Sequence, residues 1–320
     1  MGAFREAIAK EVRKELMNPE FDSRRSKNGG RVFWVKAAAA TGFGQFVKEH
    51  PAYDDNKAAV HTTMSSAAGA VVADRGDEVR VTEGHTEEFE KAFCLSTSGV
   101  RWVGEGYGTK VPVLTISGAI HGVSMEAAGC EFENFRFAVP PIDAALNMIR
   151  VRGAGCKIKD IVGLGSDQTN NFVDCILVAT GANDLTLENI KFYSGNVAVT
   201  SFLHFEAAIS RFTAAGFFAE GSVATAGVYD DSGARIKGGF LKDLTVVVHG
   251  SDKPALALAT AGSYGVVDRA FFAGTRNGAG TSIAGNALFN SNGWRLNEVK
   301  VLEETVSTAQ GGVIPAADAD

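Results

Sequence analysis

The stretch LTLENIKF, Leu185 to Phe192, is neither an ordinary strand nor a helix. Leu185 and Leu187 alternate with period two, Glu188 and Asn189 intervene, and Ile190 and Phe192 resume the alternation out of phase. A flat strand puts successive side chains on opposite faces, so the skipped residue needs a physical cause.

The same pattern, apolar-x-polar-apolar, returns in CEFENFRF from Cys130, CKIKDIVG from Cys156, AAISRFTA from Ala207, GFLKDLTV from Gly239, GVVDRAFF from Gly265 and WRLNEVKV from Trp294. Its first apolar position falls at Phe132, Ile158, Leu187, Ile209, Leu241, Val267 and Leu296, at spacings of 26, 29, 22, 32, 26 and 29 residues. No run of residues is copied. Self-similarity at 20 to 50 residues marks solenoids and related arrays.

Asn134, Asp160, Asn189 and Asp243 hold the skipped position in four repeats. Asn and Asp are the non-glycine residues that best tolerate a left-handed backbone, so this spacing predicts a ladder of corners. A corner resets the pleat, and the apolar residues before and after it all turn inward. Arg211, Arg269 and Glu298 occupy the same place in the other repeats and extend the expected ladder.

Each repeat also carries an earlier short apolar run, such as CILVATGAN or PALALATAG. Three short strands in about 27 residues make one triangular coil of a parallel β-helix, whereas a propeller blade needs about 40 residues. DEVRVTEG from Asp77 and SGVRWVGEG from Ser98 read as first coils, and the helix-like KAAVHTTMSSAAGAVVAD before them reads as a cap. The expected architecture is all-β, about nine coils of ~27 residues with a rod length of roughly 43 Å. The expected division is residues 1–31 as arm and tether, 32–75 as capping segment, 76–305 as β-helix and 306–320 as tail.

The order of a capping helix, GDEVRVTEGHTE, GVRWVGEG and a series of I-x-N-I-x-F coils resembles the pectate-lyase-like right-handed single-stranded β-helix superfamily, over roughly Val32 to Val301. The resemblance is to an architecture. It implies a right-handed solenoid, and that superfamily includes lyases, hydrolases, adhesins and phage virion proteins.

A chain of 320 residues with 45% hydrophobic residues can bury a large core, and 37 glycines suit a fold built of turns. The four cysteines show no CxxC spacing; Cys130 and Cys156 hold equivalent positions in successive coils and are expected to stack as small buried residues or to pair as a disulfide. The N-terminus is charged throughout and lacks an apolar signal core, and no apolar run is long enough to span a bilayer. No membrane partner, nucleic-acid partner, metal or cofactor is expected: the six histidines form no ligand pair, and GEGYG at Gly104 lacks the lysine of a phosphate loop.

The best enzymatic candidate is VYDDSGARIK, where Asp230 and Asp231 adjoin at a coil edge. Paired carboxylates serve acid–base work on polysaccharides or bind calcium, but Asp-Asp-Ser-Gly is also ordinary turn chemistry. The R-x-P-x-x-R signature associated with lyases of the resembled superfamily is absent.

GAFREAIAKEVRKEL places Phe4, Ile8, Val12 and Leu16 at i+4 spacing, which predicts an amphipathic helix ahead of a loose tether. Residues 1–50 carry a net charge of +4 and residues 51–320 carry −10. Such a stripe either caps its own solenoid or docks on a partner subunit. The resemblance implies a non-enzymatic phage virion protein, a capsid decoration or cement protein held by this arm, homo-oligomeric and in contact with the major capsid protein. The alternative is a polysaccharide-binding or polysaccharide-degrading β-helix on a virion tail.

Overall fold

The computed structural model describes residues 29–53, 55–142, 145–165, 171–194, 198–251, 253–258, 260–276, 294–305 and 312–315. The helical stripe of Phe4, Ile8, Val12 and Leu16 lies outside them.

Strands stack in parallel from coil to coil. Val32–Val35 pairs with Glu78–Val81, which pairs with Arg101–Gly104, and the series continues through Glu131–Phe137, Lys157–Leu164, Thr186–Tyr193, Thr213–Ser222, Ile236–Lys242 and Tyr264–Asp268 to Trp294–Asn297. These strands belong to an 18-stranded sheet that bends into two faces, and a 7-stranded sheet closes the third. The result is a parallel β-solenoid of about 8 turns. The expectation of nine coils takes every repeat as a complete turn, whereas among the described residues the third face has seven strands, from Phe93–Leu95 to Leu256–Ala257.

The bend lies where the skipped residues fall. Asn134, Asp160, Asn189 and Asp243 have φ of 62°, 53°, 52° and 53°, and Arg269 and Glu298 have 50° and 49°. Phe132 and Phe135, on either side of Asn134, both point inward and stack face to face with centroids 4.2 Å apart. Leu187, Ile190 and Phe192 are each fully buried around Asn189.

Arg211 does not belong to this corner. Ala214 pairs with Leu187 on one side and Leu241 on the other, which puts Gly216, at φ 68°, opposite Asn189. The irregular spacings of 22 and 32 residues become two spacings of 27 between Leu187, Ala214 and Leu241. Arg211, at φ 56°, sits in a second left-handed ladder with Asp74, Gly99, Gly129, Gly155 and Asp184. There each amide donates to a carbonyl of the next coil, as Asp184 does to Ser210 at 2.9 Å and Arg211 to Lys237 at 2.8 Å. ISRF fits the corner pattern because a second corner also produces apolar-x-polar-apolar.

Inside, like positions stack. Cys130, Cys156, Leu185 and Phe212 occupy one inward column that continues to Gly239, Gly265 and Trp294. The two glycines make room for the indole: a Cβ on Gly265 would lie 2.6 Å from Trp294 Cζ3, and one on Gly239 2.5 Å from its Cη2.

Each end of the stack carries an added strand. At the start, Val60–His61 adds a short parallel strand to Val32–Val35, and the five-residue helix Met64–Ala68 buries Met64 and Ala67 against it. Only these five residues of the expected capping helix are helical, because β-branched Val60, Thr62 and Thr63 precede them and Gly69 ends them. The first rung, Val32–Val35, lies within the stretch expected to be cap alone. At the other end Gly312–Pro315, within the expected tail, pairs antiparallel with Lys300–Thr305.

Truncating a fully buried phenylalanine removes its transfer energy and leaves a cavity. Phe192→Ala is expected to lower stability by about 3–5 kcal/mol in chemical denaturation. Lys191→Ala, at the exposed neighbouring position, is expected to change it by less than about 0.5 kcal/mol.

Candidate binding groove

A chain that turns through a left-handed residue at each coil leaves a concave seam on its outer side. That seam forms a groove of about 1000 Å³ along Asn134, Asp160 and Asn189, and a smaller hollow of about 400 Å³ along Asp243, Arg269 and Glu298. The corner side chains run along the stack and bond to one another. Asn189 donates to Asp160 at 3.0 Å, Arg269 pairs with Asp243 at 2.9 Å, and Asn134 donates to the carbonyls of Gly104 at 2.7 Å and Gly106 at 3.1 Å.

Asn134 thereby fixes the loop that walls the larger groove. The GEGYG turn leads into a single 3-10 turn at Gly108–Lys110, and Tyr107 projects from it with 92% of its surface exposed. Glu105, Glu133, Asp160 and Lys191 supply the charges of the groove.

Those carboxylates are held from the sheet side. Arg101 bonds Glu133 and also reaches Glu78 at 2.6 Å and Glu131 at 3.3 Å, while Lys159 lies 3.4 Å from Glu133 and 3.5 Å from Asp160. Burial alone would raise the Glu133 carboxyl, but Arg101 and Lys159 outweigh it and hold it below the ordinary value. Glu105 goes the other way: burial pushes it up and Arg80, at 3.4 Å, only partly offsets this. The groove thus offers fixed carboxylate and amide acceptors, an ammonium group and one bare aromatic ring.

Asp230 and Asp231 do not form a pair. Asp230 is 4% exposed and accepts from the Thr260 amide at 3.1 Å, which ties one turn to the next. Asp231 faces the third side of the solenoid, where its Oδ1 lies 3.2 Å from His204 Nε2. His204 Nδ1 lies 3.2 Å from Asp174, which accepts from Asn147 at 3.2 Å; Asn147 in turn contacts His121. No motif signals this row, since Asn147, Asp174 and His204 sit singly in apolar strands.

Among the described residues no group of His, Cys, Asp and Glu is arranged to hold a metal, and no helix is long and apolar enough to cross a membrane. Cys130 and Cys156 stack as expected, as free thiols, with Sγ donating to the carbonyls of Thr97 and Ala127, each at 3.3 Å. Cys175 is also buried, which pushes its thiol up, while Cys94 is exposed.

Comparison with protein-family models, with curated proteins and with solved structures finds no match to this chain.

Burial decides thiol reactivity here. A disulfide-exchange reagent is expected to titrate one thiol per native chain, Cys94, and all four after unfolding. Burial raises the Cys94 thiol, so its reaction is expected to quicken as pH rises past the ordinary thiol value.

Proposed function

We propose that the protein is a non-enzymatic structural component of a virion, a capsid decoration or cement protein attached through its N-terminal arm and in contact with the major capsid protein. What carries this reading is how the body disposes of its charges. Glu78, Arg101, Glu131, Glu133, Lys157, Lys159 and Glu188 bond one another from coil to coil, in a ladder that sets register. Asp230 is committed to a turn. Such a rod suits a rigid surface body. The sequence resemblance is to a superfamily that includes phage virion proteins, and the apolar stripe of Phe4, Ile8, Val12 and Leu16 has the pattern of a docking helix.

A helix of about 16 residues is marginal alone in water, so it must bury its stripe against something. Deleting residues 1–20 is expected to leave the strand-dominated circular dichroism unchanged and to abolish attachment to the parent particle or to its own oligomer. Unchanged attachment would remove the arm as anchor, and loss of folding would make it the cap of its own solenoid. Mass spectrometry of purified virions should find hundreds of copies for a shell protein, and a few copies would move it to the tail.

The second reading is glycan binding, favoured by the fully presented Tyr107 over a groove of carboxylates and amides. An exposed ring beside fixed acceptors is suited to stacking on a sugar face and bonding its hydroxyls. On the structural reading, Tyr107→Ala and the double variant Asp230→Asn/Asp231→Asn both leave particle attachment intact. Cleavage of a bacterial polysaccharide that is lost in the double variant would overturn it.

A further inference from the structure

Among the described residues, eight buried side-chain polar atoms lack a hydrogen-bond partner, and four of them belong to one sheet: Arg150 Nε, Asp174 Oδ1, Ser201 Oγ and His204 Nε2. They sit on three neighbouring strands of the 7-stranded sheet, Ala145–Val151, Phe172–Val178 and Ser201–Phe205. Folded proteins leave few such atoms, so a concentration of them asks for a role.

We propose that His204 is a proton-dependent clamp that ties three successive coils of the solenoid. Its Nδ1 lies 3.2 Å from Asp174 Oδ2 in the preceding coil and its Nε2 lies 3.2 Å from Asp231 Oδ1 in the following one. The two contacts differ in kind. The first is a hydrogen bond, which a neutral ring keeps by holding its proton on Nδ1. The second is an ion pair at 3.2 Å, and with the neutral ring's proton on Nδ1 the bare Nε2 has none to offer Asp231. It contributes only when the ring is charged. Losing the proton therefore removes the side-chain tie from His204 to the coil that carries Asp231, while the tie to Asp174 survives.

The surroundings support the charged ring. Asp174 faces it from one neighbouring strand, and Tyr229 and Asp231 face it from the other side, with Tyr229 stacked obliquely at 5.2 Å. Asn147, backed by His121, orients Asp174 from the next coil but brings no charge of its own. Arg150 stands in the same register column with Leu177 between, roughly 10 Å away at the strand spacing. Glu206 lies two residues along the strand and is exposed, and Asp230 is turned to the Thr260 amide. Burial would lower the imidazolium, but Asp174 and Asp231 outweigh it and raise it above the ordinary value of 6.5. A raised histidine contributes stability that is complete below the unfolded value, and loses it as pH rises through the folded one.

The segment to watch is the turn after Val228–Asp230. The Asp231 amide donates to Phe205, and the Asp231 carbonyl accepts from Ala234. Hydrogen–deuterium exchange of the full chain, corrected for intrinsic rate, is compared between wild type and His204→Gln at pH 6 and pH 8.5. The expected result is a severalfold loss of protection at residues 228–236 in the variant at pH 6, and convergence of the two proteins at pH 8.5. Equal protection at both pH values, or a deficit in the variant that does not change with pH, would overturn the clamp. Should His204→Gln fail to fold, Asp231→Asn keeps the shape and removes the charge. It is expected to lower the pH at which the His204 ring titrates by NMR, and an unmoved titration would count against the proposal.

Discussion

From Asn134 onward, a residue at one corner of the coil holds φ between 49° and 68°, a conformation that costs an L-residue with a side chain roughly 1–2 kcal/mol. The cost is accepted because the corner lets three apolar residues around it point inward where a flat strand would send one of them out. Asn and Asp lessen the cost, and their side chains recover hydrogen bonds along the stack, as between Asn189 and Asp160. The same conformation makes the outer seam concave, so the core and the groove are two sides of one backbone constraint. Arg269 and Glu298 are poorer residues for that backbone. Arg269 nevertheless gains an ion pair with Asp243 there.

Much of this fold is legible in the amino-acid sequence, because the inward apolar positions and the polar corner recur in local windows. What local windows cannot hold is register between them. Gly216 escapes the pattern because the pattern demands a polar residue, and Arg211 stands in its place because a second left-handed ladder leaves the same local trace. The Tyr107 groove needs the stacking of Gly104 over Asn134, residues 30 apart in sequence. The row of Asn147, Asp174 and His204 sits in strands that read as apolar throughout. A polar residue in such a strand looks like an outward one until the neighbouring coil is known.

Parallel stacking also explains why the outer charges carry so little free chemistry. With one strand directly above another, a residue's neighbours are fixed by register, and like charges in one column would repel along the whole rod. Arg101 between Glu78 and Glu133, and Lys157 beside Glu188, are the alternation that avoids this. Most of these pairs are partly exposed and individually worth little. Their effect is on specificity: a slip by one coil would set like charges against each other, so the ladder selects the register that the core then stabilises.

The His204 row departs from that economy. The outer ladder pairs each carboxylate with a cation that stays charged across the physiological range, so its contribution is nearly constant with pH. On the third face a histidine, the one side chain whose ordinary value lies near neutrality, is set between two carboxylates and beside buried polar atoms that no hydrogen bond from the described residues satisfies. An arginine there would have held both carboxylates at every pH, and an apolar residue would have removed the need for them. A titratable group in that place makes one tie, between the coil of His204 and the coil of Asp231, depend on a proton, while the tie to Asp174 does not.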